Sequence, residues 1–106
     1  MKLIKIFKKN KNIIIGAINL PPLLGYSKFP GFDVSVKNAL ADLKAFEKGG
    51  VDGIIFENNY DIPHKIFVDE STVSAMKLIG KKLKQATTLP IGISVLWNDY
   101  RAALSI

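Results

Sequence analysis

Two hydrophobic rhythms alternate along this chain. Residues 13–18, Ile13-Ile14-Ile15-Gly16-Ala17-Ile18, form a continuous apolar run, as expected of a strand buried on both faces. Residues 20–34 interrupt it with Pro21, Pro22, Gly25, Pro30 and Gly31. Val36, Ala39, Leu40, Leu43 and Phe46 then recur at helical spacing, with Lys37, Lys44 and Lys48 on the other side. Asp33 or Ser35 is expected to cap this helix, and Gly49-Gly50 to end it.

The cycle then repeats. Gly53-Ile54-Ile55-Phe56 predicts a short buried strand, and residues 57–70 a polar loop containing Pro63. Asp69 or Ser71 caps a second helix whose apolar face is Val73, Met76, Ile79 and Leu83. Thr87 to Pro90 break it, Ile91 to Leu96 predict a third strand, and Asn98 or Asp99 caps a helix beginning at Tyr100. The order β-α-β-α-β-α implies an α/β fold with a parallel sheet and right-handed crossovers.

Such a sheet either closes into a barrel or stays open and doubly wound. Open sheets usually carry a glycine-rich phosphate loop after the first strand. Here that loop reads Asn19-Leu20-Pro21-Pro22-Leu23-Leu24-Gly25, too proline-rich to present a row of backbone N–H groups. The expectation is therefore a partial TIM (β/α)8 barrel, comprising its first three βα units. A whole barrel takes about 250 residues. Three parallel strands alone leave two unpaired edges and an interior with no opposite wall. Residues 1–106 are accordingly expected to be a single truncated domain, cut inside its third helix, with residues 1–12 as a basic N-terminal segment.

That segment carries Lys2, Lys5, Lys8, Lys9 and Lys11. It resembles the start of a signal peptide, but the apolar run after it is short and leads into Asn19 and two prolines, so it reads as a strand. No run approaches the roughly 18 apolar residues of a membrane span, although peripheral membrane association stays open. The chain has no cysteine, which excludes disulfides, thiolate metal sites and cysteine nucleophiles; a cytoplasmic location is the default. The net charge of +6 raises nucleic acid as a partner. However, fourteen lysines stand against one arginine, and arginine is the residue of bidentate and stacking contacts. The lysines read as solvated faces, and no nucleic-acid partner is expected. A small-molecule ligand and an oligomer both fit.

In barrels the chemistry sits where strands end. Here the strands lead into Asn19, into Glu57-Asn58 followed by Asp61, and into Asn98-Asp99. Glu57 is the catalytic candidate. A carboxylate at the mouth of an apolar interior can do acid–base work, or bind a divalent cation with Asp61 or Asp99. Asn19, Asn58, Asp61, Asn98 and Asp99 are the ligand-binding candidates. The bland readings are loop satisfaction for Asn58 and Asp61 and a helix cap for Asp99. His64 is a lone histidine, a weak metal motif.

Four segments, "IGAINLPPLLGY", "GGVDGIIFENNYDIP", "TVSAMKLIG" and "LPIGISVLWNDYRAALSI", occur in the order of the signature segments of the BtpA/SgcQ family. The resemblance extends from about residue 13 to 106. It implies a ribulose-phosphate-binding type of barrel about twice this length or more. Members are named for photosystem I biogenesis in cyanobacteria, and relatives occur in other bacteria and archaea, some near sugar-metabolism genes. It implies no agreed reaction. The expectation is a sugar-phosphate-like enzyme or binding protein. The alternatives are a non-enzymatic photosystem I assembly or stability factor, and an inactive truncated product. The chain departs from the family pattern at Asn19, where a histidine is usual, at Leu24 for a proline, and at Trp97 for an arginine. If that histidine carries a proton in the family, or that arginine contacts an anion, this chain lacks it.

Overall fold

The computed structural model describes residues 3–106; Lys2 of the basic segment lies outside them. The elements follow in the order α1 (Leu3–Phe7), β1 (Ile15–Asn19), α2 (Phe32–Gly49), β2 (Gly53–Glu57), α3 (Glu70–Ala86), β3 (Ile91–Ser94) and α4 (Tyr100–Ser105). The three strands form one parallel sheet in the order β1-β2-β3.

Both long helices cover the same face of this sheet. Gly16 and Ile18 point the same way along β1, and their register partners Ile54 and Phe56 continue that face onto β2. A Cβ at Gly16 would lie 2.6 Å from the Phe46 ring of α2, and one at Gly80 of α3 would lie 2.9 Å from the Phe56 ring. A strand glycine thus admits a helix phenylalanine, and a helix glycine admits a strand phenylalanine. Ile18, Leu43, Ile54, Met76, Ile79 and Leu83 complete this core. Each such fully buried side chain stabilises by about 1.5–3 kcal/mol.

The predicted periodicities hold for α2 and α3, but several boundaries move. β1 begins at Ile15 rather than Ile13. The Asp52 carboxylate accepts the Ile14 N–H (2.8 Å), and the Asp52 N–H donates to the Ile14 carbonyl (2.8 Å), so this stretch is engaged below the ladder. β1 also includes Asn19, and β2 includes Glu57. β3 stops at Ser94 instead of Leu96, because the Val95 carbonyl accepts the N–H groups of Asn98 and Asp99 and Leu96 turns to φ 47°. Neither Asp33 nor Ser35 caps α2. Gly31 holds that position at φ 102°, and Ser35 bonds back to the Gly31 carbonyl through its hydroxyl and its N–H. Asp69 is the cap residue of α3 by backbone position, but its carboxylate pairs with Lys65 at 2.7 Å instead of with the helix. Gly50 ends α2 in the left-handed conformation, as the double glycine predicts.

One element was not expected. Within the basic segment, Leu3–Phe7 are helical. Phe7 packs where a Cβ at Gly53 would lie, 2.9 Å from its ring. Lys9 reaches the Asp52 carboxylate at 3.1 Å. α1 therefore sits at the N-terminal ends of the strands.

Candidate functional site

The sheet face away from α2 and α3 carries every second strand residue. The register aligns Asn19 with Glu57 and Glu57 with Ser94. These three polar side chains form one row across the C-terminal ends of all three strands. The row beneath is Ala17, Ile55 and Gly92, so small residues flank Ile55 and leave space below the polar row. Among the described residues, the side chains of Asn19, Glu57 and Ser94 take part in no hydrogen bond or ion pair. Asn19 is exposed, while Glu57 and Ser94 are half-buried.

The neighbouring polar residues behave differently. Asn58, directly after β2, is 0 % exposed. Its Nδ2 donates to Asp61 Oδ2 at 3.1 Å, and its Oδ1 accepts the Leu96 N–H at 3.0 Å. Asp61, also 0 % exposed, accepts the Leu23 N–H at 2.7 Å through Oδ1. One amide–carboxylate pair thus joins the loops after all three strands. Burial pushes the Asp61 carboxyl above its ordinary range, outweighing the lowering by its bonds from Leu23 and Asn58 and by the nearby His64. Asp99, 4 % exposed, caps α4 through Oδ1 to the Ala102 N–H (3.2 Å) and holds the loop before α3 through Oδ2 to the Val68 N–H (2.8 Å).

Asn98 is exposed at φ 112° beside the turn after β3, and its carbonyl accepts the Tyr100 N–H. Trp97, 68 % exposed, meets the His64 ring edge-on, with centroids 5.8 Å apart. His64 Nε2 lies 2.8 Å from the Asn59 carbonyl oxygen. Among the described residues, no three His, Asp or Glu side chains gather as a metal site would require, so Glu57, Asp61 and Asp99 do not form a common cation cage.

The structure thus brings Asn19 and Glu57 together on one face, places Asn98 beyond the same sheet end, and turns Asn58, Asp61 and Asp99 inward. Ser94 escaped the reading of the sequence. The alternation Ile91-Gly92-Ile93-Ser94 contains the signal, but extending β3 to Leu96 drew attention past its true end. No helix among the described residues is long and apolar enough to cross a membrane.

Comparison with known proteins matches the BtpA family over residues 10–106. An uncharacterized protein of Pyrococcus horikoshii is 39 % identical over 92 % of this chain and 38 % of its own length. The photosystem I biogenesis protein BtpA of Synechocystis is 41 % identical over 90 % of this chain and 34 % of its own. The putative sgc region protein SgcQ of Escherichia coli is 32 % identical over 80 % of this chain and 33 % of its own. The chain therefore spans little more than a third of the length of these relatives. No solved structure matches it.

Proposed function

The chain belongs to the BtpA family, and from that premise we propose that it supplies the first three βα units of a (β/α)8 barrel that binds a polar small molecule at the C-terminal ends of its strands. The consecutive strand order and the placement of both long helices on one face support the barrel, since a doubly wound sheet carries helices on both faces. The single observation that carries the site is the uncommitted row Asn19–Glu57–Ser94 on the face without those helices. Glu57 acts as the acid–base group, or as a ligand to a divalent cation. Asn19 and Ser94 hydrogen-bond the ligand, and Asn98 reaches it from the rim. Asn58, Asp61 and Asp99 serve the site by fixing the loops around it.

The row contains no lysine or arginine. A sugar-phosphate ligand would therefore lay its hydroxylated part on this row, and its phosphate on loops after later strands, where such barrels usually bind it. Ribose 5-phosphate binding by the full-length Pyrococcus horikoshii relative, with and without replacement by glutamine of the residue matching Glu57, tests the reading. At least a tenfold loss of affinity or turnover is expected; an unchanged value removes Glu57 from the site.

The Synechocystis relative's name supports a second reading, a role in photosystem I biogenesis. The exposed rim residues Phe67, Trp97 and Tyr100 would then face a partner. Replacing the matching rim positions in that organism, with Glu57's counterpart intact, should lower photosystem I levels under this reading and leave them unchanged under the first.

A further inference from the structure

A cavity of about 400 Å³ opens between the Pro21-Pro22 turn, the middle of α2 and Tyr60. Asn38 and Asp42 stand one helical turn apart on α2, so they present an amide and a carboxylate to the same side. Ala41 between them is small and leaves the space open. Tyr60, half-exposed, offers a ring face, the two prolines offer rigid apolar surface, and Asn19 joins from the end of β1. Among the described residues, the side chains of Asn38 and Asp42 make no hydrogen bond or ion pair. Among the described residues, no cationic side chain lines the cavity.

We propose that this cavity is a binding subsite for a neutral polyhydroxylated ligand, a sugar or polyol. Neighbouring hydroxyls need paired acceptors and donors at fixed spacing, which the Asn38–Asp42 pair supplies. The C–H face of a sugar ring packs on an aromatic surface, which Tyr60 supplies. A phosphate would meet the Asp42 carboxylate with no cation to offset it, so the subsite excludes anions. The inference shares only Asn19 with the proposed row and does not involve Glu57.

The test is amide-resolved NMR titration of the isotopically labelled chain with D-ribose, D-galactose and galactitol, with inorganic phosphate and Ca²⁺ as separate arms. At least one of the three hydroxylated compounds is expected to give saturable shifts at Asn38, Asp42 and Tyr60. Tyr60→Ala and Asp42→Asn should each weaken that binding at least tenfold, and Glu57→Gln should not. Ala41→Gln fills the cavity from an exposed helix position with a good helix former, and should abolish binding while leaving the rest of the spectrum in place. Absence of saturable shifts for all three compounds overturns the proposal, as does retained binding in Ala41→Gln. Saturation of the same residues by phosphate or by Ca²⁺ alone also overturns it, because the subsite would then select charge. Loss of binding on Glu57→Gln with Ala41→Gln unaffected assigns the ligand to the row instead.

Discussion

Glu57 and Asn58 are adjacent in the chain and occupy opposite worlds. Glu57 ends β2 on the face without the long helices, aligned with Asn19 and Ser94, and its side chain has no protein partner among the described residues. Asn58 is fully buried and joins Asp61 to the turn after β3. A strand reverses side-chain direction at every residue, so a shift of one position separates a group that can meet a ligand from one that holds loops together. Polar composition at a strand end is therefore a poor guide to role. Direction and partners decide it.

The contrast is sharpest in stability. Asp61→Ala leaves the buried Leu23 N–H and the Asn58 amide without acceptors, and should destabilise the chain by about 3 kcal/mol. Chemical denaturation followed by circular dichroism reads this directly. A loss under about 1 kcal/mol would mean that the clasp is not holding the loops. Asp99→Ala removes the α4 cap and the Val68 bond, and should cost about 2 kcal/mol in the same measurement. The loop before α3 should also become more protease-sensitive. If only α4 loosens, the Val68 bond carries little.

The pH dependence opposes two aspartates. Burial raises the Asp61 carboxyl above its ordinary 3.8, so the folded chain holds this proton more tightly than the unfolded one. The associated stability is complete below about pH 3.8 and is lost as pH rises through the folded value. Asp52 is the reverse. The Ile14 N–H, and secondarily Lys9, hold its carboxyl below 3.8, so its contribution is present above that value and is lost as pH falls through the folded one. The stability gap between the unchanged chain and Asp61→Asn should shrink with rising pH, whereas the gap to Asp52→Asn should grow. Denaturation midpoints from pH about 3 to 7 give both slopes, and parallel slopes would break the distinction. The smallest effect belongs to the row itself. Glu57→Gln and Ser94→Ala should each change stability by no more than about 0.5 kcal/mol, as expected where no native bond is lost. A larger loss would show that the row is structural.

The strand and helix order was readable because the period changes cleanly, from the Ile-rich runs to the spacing of Val73, Met76, Ile79 and Leu83. The end of β3 was not. Val95 and Leu96 continue the apolar run, and only the hydrogen bonds to the Val95 carbonyl show where the chain turns. Ser94 was hidden by the same extension. Glu57 and Asn19 stood out as polar residues closing apolar runs. Their alignment depends on register between strands, which sequence spacing does not specify. The commitment of Asp61 to Leu23, 38 residues away, is likewise a tertiary fact. α1 is hidden in the sequence because the lysines of residues 1–12 dominate a segment whose apolar side, ending at Phe7, has meaning only against Gly53.

That Phe7–Gly53 contact gives the face without the long helices a direction. A molecule lying over Asn19, Glu57 and Ser94 cannot slide along the strands toward their starts without expelling an aromatic ring from its seat. Under the proposed reading, arrival and departure therefore use the end where the loops gather.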